Sequence, residues 1–186
     1  MSGISIAETG NNPGQFAVDV SDCYSGTGTF SLAAGHSCNV TVTFHPTQAG
    51  SQSDSITVTA ASAGPKVSSF TGTGLTATAS LSPTSLGFGQ VMIGAHGIPK
   101  TVTLTNTGTG TLTINSYSIS GQFSYTTNCG SSLVAGDSCT FTVNFYPTSL
   151  GTHSGTLTVN VAVTSGGQLV NTNKTVSLSG TGETNQ

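Results

Sequence analysis

The chain has 186 residues, long enough for one large domain or for two of about 100 residues each. Three lysines (Lys66, Lys100, Lys174), six acidic residues and no arginine give a net charge of −3, too little positive charge to displace counterions from phosphates, so nucleic-acid binding is excluded. No run of 18 apolar residues occurs, which leaves no candidate for a membrane-spanning helix.

Solubility falls instead to 33 Thr and 27 Ser, and Thr is β-branched and fits a pleated, half-exposed surface, so an all-β chain is expected. Near the front stand Gly14-Gln15-Phe16, Cys23 and a block from Ala34 to Gly50 (AGHSCNVTVTFHPTQAG). Within that block Cys38, Val40, Val42 and Phe44 alternate with polar residues, the period of a strand with one buried face. Ile56 and Val58 continue in the same phase, and Phe70 to Gly74 (FTGTG) closes the segment. Everything then recurs: Gly121-Gln122-Phe123, Cys129, the block Ala135 to Gly151 (AGDSCTFTVNFYPTSLG) and Leu178 to Gly182 (LSGTG). The two blocks agree at 10 of 17 positions without a gap.

A period of about 100 residues is too long for a solenoid and right for a sandwich. The expected organisation is two tandem immunoglobulin-like antiparallel β-sandwiches, residues 1–75 and 76–186. In the second, about seven strands are expected, including Val102 and Leu104, then Cys139, Phe141, Val143 and Phe145, then Leu157 to Val163. Tight turns are expected at Thr107–Gly110, at Ser165–Gly167 and at the Gly-Thr-Gly triplets of residues 72–74 and 180–182. The first copy has 33 residues before its shared block and the second has 58, so the first lacks the counterpart of Leu81 to Asn106. That stretch is expected to form the opening two strands, whose absence leaves unpaired backbone and part of a core exposed. The chain has no charged and apolar leader pattern at Met1, which is expected to open a trimmed piece of a longer exported protein.

Four cysteines, two per repeat, allow three pairings, and the symmetry of the copies favours Cys23 with Cys38 and Cys129 with Cys139. A bridge at the same place twice points to an oxidising compartment: the medium, the cell surface or the periplasm. A four-thiolate zinc site needs partners two to four residues apart, which neither pair provides. His36, His45, His96 and His153 lie far from one another in sequence, and Asp19 with Asp22 make a weak calcium pair better read as a solvated loop, so neither metal nor cofactor is expected. Gly136-Asp137-Ser138 resembles a serine-protease nucleophile loop, yet Cys139 and Thr140 stand where two glycines belong. Because His36 replaces Asp137 in the first copy, a strand-connecting turn is the expectation, and no catalytic residue is assigned.

The run Leu81-Ser-Pro-Thr-Ser-Leu-Gly-Phe-Gly, then Thr103-Leu-Thr-Asn-Thr-Gly, Cys129, Ala135-Gly-Asp-Ser-Cys, Phe145-Tyr-Pro and Leu178-Ser-Gly-Thr-Gly resembles the bacterial choice-of-anchor D domains, relatives of the Hydin-like immunoglobulin-type domains. The resemblance implies a seven- to eight-stranded sandwich, used in arrays on secreted or anchored bacterial proteins, with a structural or adhesive role and no shared catalytic residues. The expected function is therefore a non-catalytic extracellular module that associates with itself or with neighbouring repeats, and strand complementation of the incomplete copy would build a filament. The alternatives are a carbohydrate-binding accessory module of a secreted enzyme, or a virion decoration protein, and a surface glycan or a protein is the further partner class considered. With no Trp, and with Tyr24, Tyr117, Tyr125 and Tyr146 spread over both copies, no planar sugar platform is visible.

Overall fold

A computed structural model describes residues 1–10, 14–24, 28–165 and 167–184. Every regular element among them is a strand, as the two-residue periodicity demands. The chain divides into two compact units, Met1–Gly74 and Leu75–Gln186.

The first unit holds β1 (Ser5–Glu8), β2 (Phe16–Asp19), β3 (Thr41–Phe44), β4 (Gly50–Ala60) and β5 (Ala63–Gly74). β1, β4 and β5 form one antiparallel sheet in that order, and β2 pairs with β3 in another. Phe16 packs against Phe44 and Phe70, with ring centroids 4.8 and 4.9 Å away.

The second unit holds β6 (Ala79–Ser82), β7 (Ser85–Met92), β8 (Lys100–Asn106), β9 (Leu112–Ile119), β10 (Phe123–Thr127), β11 (Ser132–Leu133), β12 (Ser138–Phe145), β13 (Gly151–Ser165) and β14 (Gln168–Glu183). Four strands run in the order β10-β12-β8-β6 and five in the order β11-β9-β13-β14-β7, where β7 lies parallel to β14 and the other pairs are antiparallel. The inward residues of both sheets form one cluster that includes Val102, Leu104, Leu112, Phe141, Val143, Phe145, Leu157, Val159, Val161, Val176 and Leu178. Burying each such side chain contributes roughly 1.5–3 kcal/mol. Their neighbours in sequence, Thr140, Thr142 and Asn144 among them, point outward, which is the alternation of a two-layer sandwich.

Nine strands replace the expected seven. The opening stretch supplies three rather than two, because Pro83 has no amide to donate to a ladder and pairing breaks there. The chain leaves the four-stranded sheet after β6 and joins the five-stranded sheet as β7. A second correction concerns the Gly-Thr-Gly triplets. Residues 72–74 and 180–182 lie inside β5 and β14, whereas the Thr107–Gly110 segment does turn the chain. The glycines are there for room: a Cβ at Gly72 would fall 2.6 Å from the Phe44 ring, and one at Gly74 would fall 2.0 Å from the Gln48 carbonyl oxygen. Gly166, within the expected turn at residues 165–167, lies outside the described residues.

Candidate functional site

Both units build the start of their central strand in the same way. Cys23 is bonded to Cys38 and Cys129 to Cys139, with Cα atoms 5.0 and 5.1 Å apart. One residue before the first cysteine of each pair, a side chain accepts the amide of the facing strand: Asn128 Oδ1 takes Thr140 N at 2.7 Å, and Asp22 Oδ2 takes Asn39 N at 2.8 Å. Asp22 is thus a strand clamp, while Asp19 closes a local turn by accepting the Ser21 amide, which holds its carboxyl below the usual range. The turn before each strand is also shared: His36 N and Asp137 N each reach back three residues, to the Ala33 and Val134 carbonyls, around Gly35 and Gly136 at φ of 80° and 82°. Gly136-Asp137-Ser138 is the turn that feeds β12.

A further pair of matching contacts was invisible in the sequence motif itself. Gln122 Oε1 accepts the Thr148 amide and its Nε2 donates to Thr148 Oγ1, and Gln15 does the same to Thr47. The repeated Gly-Gln-Phe exists to fasten the Phe-x-Pro-Thr turn. The recurrence of Gln and Thr in both copies was the available signal.

The units part company along the central strand. In β12, Phe141, Val143 and Phe145 are 0% exposed; their counterparts Val40, Val42 and Phe44 are only half-buried. The cause is strand pairing. β12 is flanked by β10 and β8, whereas β3 pairs with β2 alone among the described residues. Likewise β14 lies between β13 and β7, but β5 pairs with β4 alone among the described residues. Counterparts of β6, β7 and β8 are what the described part of the first unit lacks, and no charged side chain stands on β3 to guard its open edge.

The end of β8 shows what meets the shared turn. Asn106 is fully buried, and its Nδ2 donates to the Gly110 and Leu133 carbonyls at 2.8 and 2.9 Å while its Oδ1 accepts the Gly108 amide at 2.9 Å. Its backbone amide reaches the Asp137 carbonyl at 2.9 Å, and its carbonyl takes the Gly136 amide at 3.1 Å. In the first unit the matching groups are Gly35 N–H, the His36 carbonyl and the Leu32 carbonyl. The first two have no hydrogen-bond partner among the described residues, and Leu32 accepts the Met1 ammonium at 2.9 Å.

Two other places merit description. A shallow groove of about 410 Å³ in the second unit is lined by His96, Gln122, Phe123, Tyr146 and Thr148, with the His96 and Tyr146 rings 4.8 Å apart. In the first unit Asp54 is 5% exposed and its Oδ2 has no partner. Desolvation first, then the neighbouring Asp54 carboxyl, push the Glu8 carboxyl above its ordinary value. No group of three or more metal-ligating side chains occurs among the described residues, and no helix there is long and apolar enough to cross a membrane.

The second unit is an immunoglobulin-like β-sandwich braced by a buried disulfide. Residues 77–176, more than half of the chain, match the HYDIN/CFA65/VesB-like Ig-like domain, and the chain belongs to that family. Among solved structures it is similar to the ASH/PapD-like domain 7 of human CEP192, with 13% identity and a TM-score of 0.46 over 58% of this chain and 87% of that one. It is similar also to the Vibrio cholerae VesB protease, at 16% identity and a TM-score of 0.46, covering 55% of this chain but only 31% of the protease. A Porphyromonas gingivalis W83 protein of unknown function aligns over 97% of this chain and 86% of its own, at 14% identity and a TM-score of 0.41. No curated protein matches the chain. Two disulfides in small β-units fit an extracellular or periplasmic setting.

Proposed function

We propose that the chain is a non-catalytic, extracellular structural or adhesive module of the choice-of-anchor D type, in which strands from a neighbour complete the first unit and so link modules into an array or filament. One observation carries this reading: the Val40, Val42, Phe44 row is half-exposed beside an unpaired strand edge, while the same row in the second unit is sealed by β8. An open edge with an apolar face beside it is the arrangement to which an extended segment adds. The Ser- and Thr-rich outer surface and the disulfides suit a stiff, soluble spacer with few sites for proteases that cut at Lys.

Light scattering behind a sizing column, on native non-reduced protein, tests it. Regular, concentration-dependent polymers are the expected result, and a monomer of 18.5 kDa at every concentration would overturn assembly between chains. The carbohydrate-binding alternative draws on the His96 and Tyr146 rings beside the groove. Glycan binding that disappears in Tyr146→Ala would favour it.

A further inference from the structure

Half of β14 lies beyond its outer neighbour. β7 pairs with it from Ser177 to Glu183, while the stretch from Gln168 to Val176 pairs with β13 on one side and with no strand on the other among the described residues. We infer that this free edge pairs with the same edge of a second copy of the chain, antiparallel and about a two-fold axis at Thr172, so that two five-stranded sheets become one. The pairing goes beyond the assembly reading above and uses no residue of the first unit.

The main chain decides which groups the edge offers. Ser177 turns its amide away from β13, to the Thr84 carbonyl at 3.0 Å. The ladder between β13 and β14 runs without a bulge, and in an antiparallel ladder the two polar groups of a residue point to one side, alternating along the strand. The N–H and C=O of Leu169, Asn171, Asn173 and Thr175 therefore face outward, with no partner among the described residues. With Thr172 on the axis, Leu169 stands opposite Thr175 of the second copy and Asn171 opposite Asn173, so each open residue meets another open residue. An axis at Asn173 would instead set Leu169 against Ser177, which β7 already holds. An axis at Asn171 would set Thr175 against Gly167 in the hairpin turn.

The side chains identify the occupant as the same chain. On the outer face, Asn115 Nδ2 donates to Asn160 Oδ1 and Asn171 Oδ1 at 2.8 and 2.9 Å, and Asn160 Nδ2 donates to Asn173 Oδ1 at 2.7 Å. This ladder of amides crosses β9, β13 and β14 and stops at the free edge, where the Nδ2 groups of Asn171 and Asn173 donate to nothing among the described residues. Each Oδ1 keeps a second lone pair, so Asn171 Nδ2 of one copy donates to Asn173 Oδ1 of the other and the ladder continues across the axis. Leu169 and Val170, 67% and 42% exposed, are covered in the same step, Leu169 by Thr175 and Val170 by the apolar stem of Lys174. Lys174 is the one charged side chain on the free stretch, and in this register it does not face its own copy.

Hydrogen exchange of the unmodified chain, read by mass spectrometry on the peptide covering residues 168–176, tests the pairing. Exchange there should slow by roughly tenfold at about ten times the dissociation constant, because only the unpaired fraction exchanges. Asn171→Pro should abolish the slowing and leave the fold intact by thermal unfolding, since the lost N–H faces outward and takes no bond from β13. Under mild oxidation Thr172→Cys should link two copies through that position, whereas Val170→Cys, which faces Lys174, should not. Equal linking of the two cysteine variants would overturn the register, and exchange at 168–176 that ignores concentration would overturn the pairing itself. If such a chain still polymerises, assembly through the first unit stands without this pairing. Protection at 168–176 in a chain that never exceeds two copies would uphold the pairing and overturn that assembly.

Discussion

Phe145 packs its ring against the bare Cα of Gly180, so that a Cβ at that position would fall 2.4 Å from Cε1 of the ring. Phe44 and Gly72 repeat the arrangement in the first unit, with the nearest ring atom at 2.6 Å. Neither glycine has a positive φ, so alanine meets no backbone objection and the whole effect of a substitution is steric.

The two alanine variants should therefore differ in cost. Phe145 is 0% exposed and locked among Phe88, Phe123 and His153, whereas Phe44 is half-buried. Gly180→Ala is expected to destabilise the second unit by about 1–3 kcal/mol, the range for overpacking a filled core. Gly72→Ala should cost clearly less. Urea unfolding of both variants measures the difference, and equal losses would show that Phe44 is as firmly held as Phe145.

Asn106 is expected to be the most sensitive polar residue of the second unit. Replacing it with Leu strips the Gly110 and Leu133 carbonyls and the Gly108 amide of a partner that is itself fully buried. A loss of roughly 2–4 kcal/mol follows from leaving such groups unsatisfied. Thermal unfolding of Asn106→Leu checks this; a melting point within a degree or two of the parent would contradict the assigned role.

Alternation and repetition made the inward faces legible: Cys139, Phe141, Val143 and Phe145 all point into the core as their spacing requires. What spacing cannot convey is which sheet a strand joins. Leu81 and Leu86 both face the core, yet they stand in different sheets, because Pro83 interrupts the pairing between them. Glycine was ambiguous for a similar reason. Gly-Thr-Gly reads as a turn when only conformational freedom is considered, and only the positions of Phe44 and Phe145 reveal that the need was space. The open edge of β3 was half-visible. The missing opening strands could be counted from the repeat, but the free Gly35 amide and His36 carbonyl depend on hydrogen bonds that no residue type announces.

The two disulfides should open at different reductant concentrations. Cys129 and Cys139 are buried, at 8% and 5% exposure, while Cys23 and Cys38 are half-buried, so a reducing thiolate reaches the first unit more readily. Alkylation and mass spectrometry along a reductant series should show Cys23 and Cys38 labelled first. Because the Cys23 to Cys38 bridge closes a loop of about 15 residues, its loss should cost the first unit roughly 3 kcal/mol. Simultaneous labelling of all four cysteines would instead mean that the units unfold together.

Glu8 and Asp19 set the pH dependence of the first unit, Glu8 partly through its neighbour Asp54. Its register position on β4 matches Gly155 on β13, where a Cβ would strike Phe123, and the first unit accommodates the carboxyl only by burying it with Oδ2 unpaired. The Glu8 carboxyl beside it is raised above its ordinary 4.5, so the folded state holds a proton that the unfolded chain would release. Stability from Glu8 is therefore complete below about pH 4.5 and is lost as the pH rises through the higher folded value. Asp19 runs the other way, since its lowered value gives stability above 3.8 that is lost only in stronger acid. Amide exchange of residues 55–59 should accordingly quicken from pH 4.5 toward neutrality, after correction for the intrinsic pH dependence of exchange. Asp54→Asn should slow it and flatten the profile, because it removes the carboxyl that helps to raise Glu8 and puts a hydrogen-bond donor where Oδ2 has no partner. A variant that exchanges faster than the parent at pH 7 would show that Asp54 Oδ2 has a stabilising partner and would reverse this assignment.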